Sequence, residues 1–276
     1  MFNLLLHELR VRRSAIIGWG IGLILFILIY LPIYPSLQEQ MTTFDVGNIA
    51  IYQAMGMSSM ATLEGYISST IVQFIPILLG IFAIINGTAT LAGEEDNGTL
   101  ELMVAMPLAR WQIVTIKAVA MIIATLLITF MAGLGAMAVF ATIEGQVETS
   151  LTAMDLFTVI LSGWPLVIAF MMISFFLGAY LPSRRLASAL ATIVFIISYF
   201  GNALANLADK VEPLRPIFLF SYLNTSPQVF TEGVNGTDMV VLLGTAVFFF
   251  ILALASFQRR NITVGAWPWQ RPQVSG

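Results

Sequence analysis

Residues able to move protons, ligate metals or cradle phosphate are few in this chain and stand apart from one another. The 276 residues include no cysteine and a single histidine, His7. Disulfides, thiolate nucleophiles and cysteine-ligated zinc are therefore excluded. A lone histidine with no second soft ligand reads as a solvated side chain, not a metal centre. The sequence holds no HExxH, no serine–histidine constellation inside an apolar run and no GxxxxGK[ST] phosphate loop. Its Lys and Arg residues form no basic stripe of the kind that nucleic acid requires. The chain therefore reads as a non-enzyme that binds no cofactor of its own.

The densest grouping of informative residues is 91–117, LAGEEDNGTLELMVAMPLARWQIVTIK. Glu94, Glu95 and Asp96 end an apolar run, and Asn97-Gly98 marks a turn. Thr99 caps a short helix, Glu101 lies in its first turn where the helix dipole favours an anion, and Pro107 closes it. From 99 to 106 this is about 12 Å of helix. Leu100, Leu102, Met103, Val104 and Met106 surround it almost completely. Two turns cannot bury all of these against their own flanks. Either a groove on a partner protein takes them, or the helix tucks under the membrane domain or into the headgroups. Arg110 and Lys117 flank Trp111, and all three read as interfacial anchors with snorkelling stems; Arg184-Arg185 and Arg259-Arg260 read the same way.

The elements that position this segment follow from composition. Hydrophobic residues make up 58% of the chain, charged residues only 10%, and the mean hydropathy is +0.90. Such a mixture cannot cover a water-soluble surface, so lipid is the solvent for much of it. Six charge-free runs are long enough to cross a bilayer, 14–38, 65–93, 118–143, 156–183, 186–208 and 239–258, and they place the spans at about 15–35, 68–93, 113–143, 155–181, 186–208 and 238–258. A charge at the centre of any of them would cost about 3 kcal/mol. The first run is too long for a signal sequence and no cleavage site follows it. The fold class is all-α: a single membrane domain, 1–276, with six spans and both ends in the cytoplasm.

Charge asymmetry sets that orientation. With the N-terminus inside, Arg10, Arg12, Arg13, Arg110, Lys117, Arg184, Arg185, Arg259, Arg260 and Arg271 are all cytoplasmic, and only Lys210 and Arg215 lie outside. Residues 46–63 are a rival span, rejected because crossing there would flip every later loop; Ile49, Tyr52, Met60 and Leu63 suit a helix along the outer interface. Residues 1–13 form an amphipathic helix that lies in the inner headgroups before the chain turns into the membrane. Phe2, Leu5, Leu6 and Leu9 share one of its faces, and Asn3, His7 and Arg10 another. The apolar, proline-rich stretch 209–237 folds back on the membrane mouth. Pro76 and Pro165 kink their spans, and the third to fifth spans are antiparallel neighbours.

The segment Glu94, Glu95, Gly98, Thr99, Leu100, Glu101, Pro107, Arg110 and Lys117 resembles the cytoplasmic signature of type-2 ATP-binding-cassette (ABC) exporter permeases. The start Glu8-Leu9-Arg10 before Gly18-Trp19-Gly20 resembles that family too. The resemblance implies that 1–13 is an elbow helix and that 209–237 forms re-entrant helices gating an exit. It implies that 94–110 is a coupling region docking on a separate ATPase subunit, which binds ATP and Mg. The docking residues would be Glu94, Glu95, Gly98, Thr99, Leu100, Glu101, Leu102, Met103, Met106 and Pro107. Two permeases, identical copies or homologues, would pair with two ATPases in the cell membrane.

Within the spans, Gln73, Asn86, Ser198, Tyr199 and Asn202 are candidates to line a pathway, or simply to bond neighbouring helices. Gly18 with Gly22, and Ala187 with Ala191, are small-residue pairs suited to dimer packing or to packing inside one subunit. The function expected is ATP-driven export of a hydrophobic or amphipathic molecule, such as a drug, antibiotic or lipid-like compound, by alternating access. The alternative is an ATP-independent secondary transporter or channel. It calls for an ionisable site within the spans, and the charge-free runs lack Asp, Glu, Lys and His.

Overall fold

A computed structural model describes residues 2–36, 62–93, 109–147 and 149–259. The helix expected at 99–106, the interfacial stretch 46–61, Arg260 and Arg271 lie outside the described residues. Among the described residues there is no strand, and six helices are long and apolar enough to cross a membrane. These spans are Phe2–Ser36, Leu63–Gly93, Arg110–Phe140, Ala153–Tyr180, Arg184–Leu207 and Gly236–Arg259.

Side-chain caps mark where several spans begin. Thr62 Oγ1 accepts from Gly65 N at 3.2 Å, and Ser183 Oγ accepts from Leu186 N at 3.3 Å. Thr152 and Asp155 cap each other reciprocally. Leu63, expected on an outer interfacial helix, is instead buried at the start of the second span. The Thr62 cap starts the helix there, and the bundle covers the leucine.

Contacts between span ends establish the alternation. Arg12 of the first span reaches Thr90 of the second, and Glu8 reaches Lys117 of the third. Ser256 of the sixth donates to the carbonyl of Ala179 in the fourth. At the opposite end the Tyr66 hydroxyl donates to the carbonyl of Tyr30, and Thr149 donates to Glu64. The chain thus runs up and down six times, and Phe2 and Arg259 finish at the same end, here termed basal. Arg184 and Arg185 open the fifth span at that end, whereas Arg215, Glu232 and Asp238 lie at the other, apical end.

The second and fourth spans form the interior, with the third close behind; the first, fifth and sixth lie outside. Leu23, Ile27 and Leu31 of the first span bury one stripe against the third, which presents Met121, Ile128 and Ala132 to the same core. Their other faces carry Ile17, Ile21 and Leu25, and the fifth span exposes Ile193, Ile196, Ile197 and Phe200. Such faces require lipid or another apolar partner.

The first helix departs from expectation. It runs unbroken from Phe2 to Tyr30, with no turn after Arg13. No glycine or proline interrupts it before Gly18, and Glu8 is buried against the third span, so the amphipathic start continues directly into the membrane helix.

Both prolines sit at interruptions. A π-helical turn, Ser68–Val72, precedes Pro76, with Gln73 N donating to Ser68 O at 3.1 Å. The wider turn ends on Val72, whose carbonyl a proline at 76 cannot engage. The fourth span breaks at Gly163 between Ala153–Ser162 and Trp164–Tyr180, with Pro165 in the first turn of the second piece. The two breaks touch: a Cβ on Gly163 would lie 2.9 Å from Pro76 Cγ.

Nearer the basal end the backbones of these two spans nearly meet. A Cβ on Gly178 would lie 3.0 Å from the Thr88 carbonyl oxygen and 3.2 Å from Thr88 Cα. Backbone cannot move aside as a side chain can, so Gly178→Val should cost about 1–3 kcal/mol by overpacking. Gly244→Val, on the sixth span, whose Cβ meets nothing within 4 Å, should be close to neutral. Thermal unfolding of the two detergent-purified variants checks the contrast.

Candidate functional site

Three ionisable side chains meet inside the basal end. Glu8 is 6% exposed and Lys117 only 1%. Lys117 Nζ donates to Glu8 Oε1 at 2.8 Å. Arg12, one helical turn beyond Glu8, pairs with Oε2 of the same carboxylate. The other guanidinium nitrogen, Nη2, donates to Thr90 Oγ1 at 3.3 Å, and Thr90 in turn donates to Asn86 O at 2.6 Å. One carboxylate therefore serves two cations, and one arginine joins the first span to the second.

The position of this cluster gives it meaning. Thr90 lies in a π-helical turn, Ala89–Gly93, that ends where the segment 94–108 begins. That segment returns at Ala109, whose N–H is capped by Gln112 Oε1 at 3.0 Å at the start of the third span. Lys117 lies two turns farther along. Both flanks of 94–108 are thus fastened to the first helix through Glu8 and Arg12.

Lys117 is not the snorkelling anchor expected from its flanking position. Its ammonium points inward because a carboxylate waits there, whereas Trp111, 47% exposed, keeps an outward position. The sequence carries a signal for this: a lysine seven residues into an apolar helix needs a partner, and Glu8 stands on a helix that starts at the same end.

The polar residues inside the spans divide. Gln73 Nε2 donates to the Tyr199 hydroxyl at 3.2 Å, joining the second and fifth spans. One residue before Tyr199, Ser198 Oγ accepts from Phe220 N at 3.3 Å, pinning the 209–237 segment to the fifth span. Phe220 fills the space between Phe170, Phe195 and Tyr199, with ring centroids 5.2–5.5 Å away. Asn202, one turn above Ser198, borders an apical cavity. Gln73, Ser198, Tyr199 and Asn202 thus form one seam. Asn86 stands apart and donates to Phe82 O of its own helix at 2.9 Å.

Of the small-residue pairs, Ala187 and Ala191 are buried within this chain's own bundle. They pack inside the subunit, because the fifth span turns that stripe toward the second and fourth. Gly18 and Gly22 face outward, with open space where a Cβ would stand. Among the described residues no group of three or more His, Cys, Asp or Glu converges as a metal site would need.

Removing one member of a buried ionic cluster costs about 3–5 kcal/mol, far more than replacing the whole by apolar groups. Glu8→Leu, which leaves Lys117 and Arg12 facing each other without their shared anion, should destabilise more than Lys117→Met, which leaves the Glu8–Arg12 pair intact. Glu8→Leu combined with Lys117→Met should recover part of the loss. Thermal unfolding in detergent of the three variants reads the order.

Comparison with known sequences fits this architecture. A family described as ABC-2 family transporter protein matches residues 2–262. No curated protein matches the chain. The match runs through all six spans and both flanks of the 94–108 segment, so this multi-pass membrane protein belongs to the ABC-2 transporter family, whose members are the membrane subunits of transporters and generally pair with an ATPase.

Proposed function

We propose that the protein is the permease subunit of an ATP-driven exporter and that its basal end faces the cytoplasm. The described basic residues support this orientation: Arg10, Arg12, Arg13, Arg110, Lys117, Arg184, Arg185 and Arg259 all belong to basal helix ends. The segment 94–108 then hangs into the cytosol and docks on a separate ATPase subunit, which carries ATP and Mg. The observation that carries the reading is the Glu8–Arg12–Lys117–Thr90 cluster, because it couples both flanks of that segment to the first helix. A push on the segment is delivered to three spans together.

Two copies pair in the cell membrane, and the open Gly18–Gly22 face of the first span allows close approach of a second chain. Closure of the ATPases shifts the segments and opens the path toward the apical side, moving a hydrophobic or amphipathic molecule outward. The apical helices Glu212–Ile217, Leu219–Tyr222 and Val229–Glu232 cap the exit. An ion-coupled transporter would place an ionisable site in mid-span. The charges described inside this bundle gather at its base instead.

Leu100→Asp combined with Met103→Asp should leave membrane insertion unchanged and reduce co-purification of the ATPase subunit more than tenfold, with transport lost in parallel. Normal partner recovery and normal transport in that variant would overturn the docking assignment.

A further inference from the structure

The apical end holds a cavity of about 620 Å³ between the end of the fifth span, the 209–237 segment and the start of the sixth. Its wall is chemically mixed. Arg215 supplies a guanidinium, and Glu232 and Asp238 supply carboxylates. Among the described residues no salt bridge joins Arg215 to either acid, so the opposite charges border the space without neutralising each other across it. Phe220 and Leu223, both buried, give one side an apolar surface.

The amides show what the space lacks. Asn224 Oδ1 is occupied by Ser226, accepting from its N at 3.0 Å and its Oγ at 2.7 Å. Asn235 Oδ1 accepts from Thr237 N at 3.0 Å at the start of the sixth span. Those two asparagines hold turns. Asn202 Oδ1 differs: it is shut off from solvent and has no hydrogen-bond partner among the described residues. A buried acceptor left in that state costs about 1–3 kcal/mol. Gly233, with φ +73°, turns the chain directly after Glu232 at this rim.

We infer that this cavity binds the head of an amphipathic zwitterion, with its anionic group on Arg215, its N–H-bearing ammonium on Glu232 and Asp238, and its apolar portion against Phe220 and Leu223. A single cation facing two acids rejects a purely anionic head. The acceptor-rich wall rejects a quaternary ammonium, which has no hydrogen to donate. Phosphoethanolamine chemistry satisfies every requirement, whether it arrives as a bilayer lipid or as a soluble compound. This inference does not depend on ATP coupling, because it concerns binding alone.

The test measures binding to the full-length protein purified in detergent. Lysophosphatidylethanolamine should bind at least tenfold more tightly than lysophosphatidylcholine or lysophosphatidylglycerol. Arg215→Gln, and separately Glu232→Gln with Asp238→Asn, should each weaken it at least tenfold. These side chains sit at the rim, so the variants should unfold at the wild-type temperature. Equal affinity for the choline compound, or variants that bind like the wild type, would overturn the proposal. Glycerophosphoethanolamine, which lacks an acyl chain, separates the sources. Comparable binding assigns the site to soluble compounds, loss of binding assigns it to lipid, and either result sustains the head-group chemistry.

Discussion

A carboxylate removed from water must be compensated by positive charge, and in this bundle the compensation comes from two directions. Glu8 takes Lys117 from the third span and Arg12 from its own helix, and Arg12 extends the network to Thr90 of the second. The low dielectric around the cluster strengthens each attraction and makes each loss costly. The relative placement of the first three spans at the basal end follows from this shared anion. It also explains why the first helix continues without a turn: an elbow lying flat in the headgroups would carry Glu8 away from Lys117.

The rest of the bundle is governed by backbone approach and by the handling of backbone polar groups. In lipid every N–H and C=O needs an internal partner. The π-helical turns at Ser68–Val72 and Ala89–Gly93 keep those bonds while changing the helix diameter. One accommodates Pro76; the other brings Thr90 to Arg12. Gly178 lets the fourth span approach the second at Thr88, drawing together the two most buried helices.

The six spans and their alternation were legible in the sequence because charge exclusion from an apolar helix is a strong, local signal. The two proline interruptions were legible for the same reason: a missing N–H acts within one turn. Pairings between distant residues were not. A lysine seven residues into an apolar helix calls for an anion at that end of the bundle, but a lysine so near a helix end reads equally well as an anchor, and spacing alone does not single out Glu8. Ala187 and Ala191 fit either an inner or an outer face by spacing alone, and only the neighbours of the fifth span decide. The seam Gln73–Tyr199 and Ser198–Phe220 was visible as a set of polar residues, but the partner of Ser198 is a backbone N–H from an apical loop, which no side-chain pattern announces.

The contact between Pro76 and Gly163 divides the interior into two storeys. Each of the two innermost helices is jointed at this one level, and the joints bear directly on each other. The lower storey carries Thr90 and the approach at Gly178, while the upper carries Thr62 and the Thr152–Asp155 cap. A tilt of one storey relative to the other therefore needs no new bend in either helix, and the sliding surface it would use is already built from a proline ring and a bare backbone.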